Sequence, residues 1–260
     1  MTRKASADTT QHPTLQEIQS ADLPPRISDL INDYQKDIGE RDDFIWKWLY
    51  AVFPPIRLSS VAEQYTKTVR SQKVILTLYV TLLDDLADTY GDKSTFERAR
   101  RIPFSNTQSD SSPEYVDEGY IEYTQTVWDE FQTVLKEAPR YEEFEDVFHY
   151  ALRQTLNAMD YGWLLNEYPS IANPTGTKMY GPHNMAMFSY ADIDLMYSPE
   201  FDKADLATLR DTVWDAQRLA RIGNWVTTWE RELPEEDYSA GIIVRALADG
   251  VISIDELTED

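Results

Sequence analysis

Six polar residues in two groups have the types and spacing to grip a hard cation. Asp84, Asp85 and Asp88 form an Asp-Asp-x-x-Asp run directly after Val74–Leu83, a stretch apolar on nearly every face. On a helix, Asp84 and Asp88 share a face, and Asp85 is turned about 100° away. Two carboxylates one turn apart repel, and carboxylates at a helix C-terminus oppose its dipole. A divalent cation offsets both effects, and Mg²⁺ held by one or two carboxylates plus a substrate phosphate is the usual arrangement. In the second group Asn224, Thr228 and Glu232 stand at i, i+4 and i+8. Three successive turns then present an amide oxygen, a hydroxyl and a carboxylate in one row, a set able to chelate one hard cation. Arg221 lies one turn before that row, and Arg231 adjoins its last member. Each group also has an ordinary reading: a solvated acidic helix end, and the polar stripe of an amphipathic helix.

The elements that must carry these rows are helical. Glycine is scarce, 9 in 260 residues, and the chain breakers fall between long segments of helical periodicity, with strand-type alternation hard to find. The pattern predicts helices near 26–38, 42–53, 60–90, 113–137, 141–167, 178–197, 203–233 and 238–249. The sixth is interrupted at Gly181-Pro182, and Pro54-Pro55 stops the second. Ser60 with Glu63 reads as a capping-box start for the third, and Gly91 sits where a left-handed cap belongs. Residues 1–22 read as a loose, flexible N-terminal segment and 23–260 as one all-α helical bundle with no internal repeat. Asp192 and Asp194 read as surface residues. Trp163, Phe188 and Trp225 are conceivable liners of an interior hollow, as are Asn157 and Asp160.

Composition narrows the chemistry. Lys plus Arg number 24 and Asp plus Glu 46, a formal charge of −22, so nucleic acid is a poor partner. With 9 lysines against 15 arginines, the acidic surface resembles that of cytoplasmic proteins in salt-accumulating microbes, where ionic strength screens self-repulsion. There is no cysteine, which excludes disulfides and thiolate chemistry. The three histidines, His12, His149 and His183, lack metal-ligand spacing, and no dinucleotide, P-loop or Gly-x-Ser-x-Gly motif occurs. No apolar run approaches a membrane span and no secretory signal is visible, so a cytoplasmic protein is expected.

The two motifs together, about 140 residues apart and in this order, resemble the class I terpene synthases (terpene cyclases) of microbial type. The resemblance covers roughly residues 40–250. It includes the basic residue before the last triad member, Arg231, and the stretch Tyr238–Leu247 after it. It implies a single α-helical bundle with the motifs on opposite walls. It implies a cluster of Mg²⁺ ions, three by the family's pattern, with Mn²⁺ as a substitute. Asp84 and Asp88 would hold metal from one wall, with Asp85 orienting basic groups, and Asn224, Thr228 and Glu232 from the other. Lys178, Arg221 and Arg231 would contact the diphosphate of a prenyl diphosphate substrate (C10–C20), whose ionisation leaves a carbocation to be cyclised or rearranged. The chain departs from the family in having Lys178 where an arginine senses diphosphate, Trp225 where Asp is frequent, and no Arg-Tyr pair near the C-terminus. It also has only 28 residues after Glu232, so the helices that close the pocket are expected to be short or absent. The expected partner is this small molecule, and a homodimer is left open. Two other readings stand beside it: a trans-prenyltransferase-type isoprenoid enzyme, and a non-catalytic helical protein that binds an isoprenoid or a partner.

Overall fold

The computed structural model describes residues 13–104 and 115–258. Among them there are twelve α-helices and no strand. In chain order they are Leu15–Gln19 (α1), Pro25–Asp37 (α2), Asp43–Val52 (α3), Thr66–Asp84 (α4), Lys93–Ala99 (α5), Glu118–Leu135 (α6), Tyr141–Glu167 (α7), Pro174–Tyr180 (α8), Met187–Met196 (α9), Leu206–Glu232 (α10), Gly241–Ala248 (α11) and Ile254–Thr258 (α12). Helix starts follow local chemistry. Pro25 supplies the first residue of α2, and Asp42, Asp92, Asp117 and Asn173 accept backbone N–H groups at the heads of α3, α5, α6 and α8.

Helix α4 runs through the middle, packed by α2, α3, α6 and α9. Its run from Val74 to Leu83 is almost wholly buried, as an all-round apolar helix must be. It meets Phe131 of α6, Phe148 and Leu152 of α7 and Ile193 of α9 in one core cluster. Helix α9 is the other interior helix, lying between α7 and α10, and α10 in turn carries α11. The expected interruption near Gly181-Pro182 is a 3₁₀ segment, Gly181–Met185, from which Ala186, at φ 52°, turns the chain into α9.

Several local expectations differ from the structure. Within the N-terminal stretch expected to be loose, residues 15–19 form α1, held by a capping box between Thr14 and Glu17 and by burial of Ile18. Residues 1–12 of that stretch, and Pro113, lie outside the described residues. Ser60 does not open α4. Its hydroxyl bonds Ser198 across the bundle, and a 3₁₀ turn at Glu63–Tyr65 leads into the helix instead. Gly91 does take the left-handed conformation, φ 60°. Asp192 and Asp194 are buried rather than on the surface. Asp194 bonds the ammonium of Lys73 (2.8 Å) and the backbone N–H of Leu58 (2.8 Å), and Asp192 faces Arg210 at 3.4 Å.

Candidate active site

The end of α4 does not stop as an ordinary helix. From Asp85 to Thr89 it widens into a π turn, with the Tyr90 N–H reaching back to the Asp85 carbonyl. One extra residue per turn rotates the faces, and such widenings recur at functional sites. Asp84, Asp85 and Asp88 all border one cavity of about 660 Å³. The facing wall is the last three turns of α10, which brings Arg221, Asn224, Thr228, Arg231 and Glu232 to the same cavity. The two rows that lie far apart in the chain therefore share one chamber. Val80, Ala158, Met159 and Leu165 give it apolar surface, and Tyr34, Trp48, Tyr90 and Tyr161 its aromatic surface.

The polar groups are already connected. Asp85 is nearly buried and accepts from the Tyr34 hydroxyl (2.6 Å) and from Arg41 Nε (2.9 Å) and Nη2, while Arg41 Nη2 also reaches Asp84 at 3.4 Å. On the facing wall Arg221 Nη1 donates to Asn224 Oδ1 (2.7 Å), and the Thr228 hydroxyl donates to the Asn224 carbonyl (2.8 Å). Glu232 is mostly covered and lies 3.5 Å from Arg231, whose own side chain is largely exposed.

Charge in the cavity is unbalanced: seven acidic side chains border it against three arginines. Asp84 is partly covered and Asp88 is exposed, both toward the cavity. Burial, then the charges of Asp84, Asp237 and Glu232, push the Asp88 carboxyl up to about 8, with Arg221 opposing. Burial also raises Asp84, followed by Asp85 and Asp237, against Arg41 and Arg221. Carboxyls raised by one another are sites where added positive charge is favoured. The donor set, carboxylates with an amide and a hydroxyl, is that of a hard cation such as Mg²⁺. Among the described residues, no three His, Asp or Glu side chains close on a single point. The donors present suit an ion that keeps most of its ligands as water or substrate oxygens.

Lys178 is not part of the chamber. In α8 it is Gly176 and Thr177 that turn inward, with Thr177 and Gly181 on the cavity wall, so the next position, Lys178, points to solvent. Nor do the conceivable liners reach it. Trp163 packs near Phe96, Phe188 stacks on His183, and Trp225 lies against Gly181 and Gly241, where a Cβ on Gly241 would meet the ring at 2.6 Å. Asn157 and Asp160 are taken up by Arg100.

Arg41 and Asp237 border the cavity with no signal in the spacing, and Tyr34 reaches it from the apolar face of α2. Arg41 stands between α2 and α3, and Asp237 lies beyond a turn after α10 in which Glu236 takes φ 60°. Residues in such connections share no helical period with either motif. Comparison with protein-family models, with curated proteins and with solved structures finds no match to this chain.

Proposed function

We propose that this protein is a Mg²⁺-dependent class I terpene synthase that ionises a prenyl diphosphate, cyclises or rearranges the carbocation and releases diphosphate. One observation carries the reading: the Asp84/Asp88 and Asn224/Thr228/Glu232 rows border the same part-apolar chamber from opposite sides.

Asp84 and Asp88 on one wall, and Asn224, Thr228 and Glu232 on the other, are the residues that would hold Mg²⁺. Bound there, the metal supplies Lewis-acid stabilisation of a diphosphate leaving group. The chain's own residues do the rest. A diphosphate cannot enter a net-negative chamber on the arginines alone, so the acids set the requirement for cations. Arg221 and Arg231 supply donors from the α10 side. Asp85, with Tyr34, holds Arg41 at the mouth of the first row, which fixes a planar guanidinium toward the same space. Val80, Met159 and Leu165 give the hydrocarbon a dry surface, and Trp48, Tyr90 and Tyr161 offer ring faces to a developing cation.

The test is turnover of C10, C15 and C20 prenyl diphosphates in high salt with Mg²⁺, reading diphosphate release and analysing products by gas chromatography. Turnover of at least one, abolished by chelation and by Asp84→Ala or Asn224→Ala with helicity unchanged, is the expected result. No release at any chain length or salt concentration would refute the reading. Products lengthened only when isopentenyl diphosphate is added would assign the chain to elongation instead.

A further inference from the structure

In so acidic a chain, a cluster of cations that outnumbers the carboxylates around it is an exception. One lies at the end of α4 remote from Asp84. Arg57, Lys67, Arg70 and Lys73 border a hollow of about 200 Å³ between the end of α3 and the start of α4, with Glu63 the one acid on its wall. Among the described residues, the side chains of Arg57 and Lys67 make no hydrogen bond or ion pair. Arg70 lies flat over the Tyr50 ring, its Cζ 3.4 Å from the centroid, and its Nε donates to the Tyr50 carbonyl. That stacking fixes the guanidinium plane and leaves its terminal nitrogens for another acceptor. Burial lowers the Arg70 pKa, and no carboxylate opposes it.

Lys73 forms the floor and is neutralised from behind by Asp194. Arg57, Lys67 and Arg70 against Glu63 leave two positive charges in excess, which matches one phosphate dianion. The first turn of α4 adds Thr66 to the wall. We infer that this hollow is a binding site for the phosphate group of a small soluble ligand, an inorganic phosphate or a phosphomonoester. Arg70 is 14 residues before Asp84 on one helix, about 21 Å by helical rise, so the site is separate from the chamber.

The experiment is thermal unfolding and calorimetric titration of the whole chain with inorganic phosphate or glycerol phosphate, without divalent metal and at ionic strength matched with chloride. The wild type is expected to be stabilised by either probe beyond chloride. Arg57→Gln/Lys67→Gln should fold normally and bind at least about tenfold more weakly, two charge-assisted donors being lost. Arg221→Gln, in the chamber, should keep the full response. No phosphate-specific effect, an undiminished effect in the double variant, or a response lost only in Arg221→Gln would overturn the inference. So would binding to phosphatidate vesicles with no response to the soluble probes. Prenyl diphosphate turnover by the double variant without added phosphate should equal that of the wild type, so this test fails or succeeds independently of the proposed activity.

Discussion

Replacing Lys73 with Met tests the buried pair that ties α4 to α9, the two interior helices of the bundle. Both side chains are about 1% exposed. Burial pushes Asp194 up and Lys73 down, and each opposes the other's shift. In Lys73→Met the Asp194 carboxylate keeps the Leu58 N–H and the weaker attraction of Arg57, and its Oδ1 has no hydrogen-bond partner even in the wild type. Removing one member of a buried pair costs about 3–5 kcal/mol, so the melting temperature should fall by about 6–20 °C for a chain of this size. Asp194→Asn alone should cost a similar amount, because it strands the ammonium. The double variant Lys73→Met/Asp194→Asn removes both charges and keeps an acceptor for Leu58, so its cost should be about 1–2 kcal/mol and not the sum of the singles. Urea titrations at fixed salt measure all three. The pH response gives a further check. In Lys73→Met the unpaired Asp194 binds its proton more tightly folded than unfolded. Stability is then greatest below the ordinary aspartate pKa and is lost as pH rises toward the raised one. The deficit against wild type should therefore shrink on acidification. A single variant costing under about 1 kcal/mol, or a double variant as unstable as the summed singles, would refute the argument.

Asp88, held up at about 8, binds its proton in the folded state across a pH range where the unfolded chain has lost it. Denaturant midpoints of metal-free protein should therefore fall as pH rises from about 4 to 8 through this group; Asp88→Asn should flatten the slope, and Mg²⁺ should stabilise the wild type more at pH 8 than at pH 6. Arg41→Ala strips Asp85 of its cationic partner and should cost about 1.5–3 kcal/mol in urea unfolding, with Arg41→Lys restoring only part because it lacks the fork. Lys178→Ala should leave the kcat/KM of prenyl diphosphate turnover within about twofold of wild type, since a solvent-facing side chain outside the chamber removes no transition-state contact.

What the sequence made legible was whatever a period could encode. Val74 to Leu83 is apolar all round, and α4 is accordingly interior; Asp84 and Asp88 follow on its inward side and Asn224, Thr228 and Glu232 on that of α10. Spacing within one helix fixes which side chains share a face, so each row was readable before any tertiary contact was known. That the rows meet was not readable from either alone, since it depends on α9 and the 3₁₀ segment, which pack against both α7 and α10. Side chains whose position depends on a connection escaped for the same reason. Arg41 reaches Asp85 from the segment between α2 and α3, and Asp237 reaches the acids from a turn with a left-handed residue, and no helical period extends across either.

Asp192 and Asp194 failed differently. A charge pattern assigns acids to water, and only a partner brought from 121 residues away, Lys73, makes the interior tolerable for Asp194. The same reasoning bears on the chamber. Asp85 is compensated there by Arg41, but Asp84 and Asp88 are raised chiefly by burial and by other acids, with Arg41 and Arg221 too few to balance them. Where the fold needs a buried acid it supplies a cation, as at Lys73. At the Asp84–Asp88 face it supplies too little charge and leaves a space, as the proposed binding of Mg²⁺ together with a diphosphate requires.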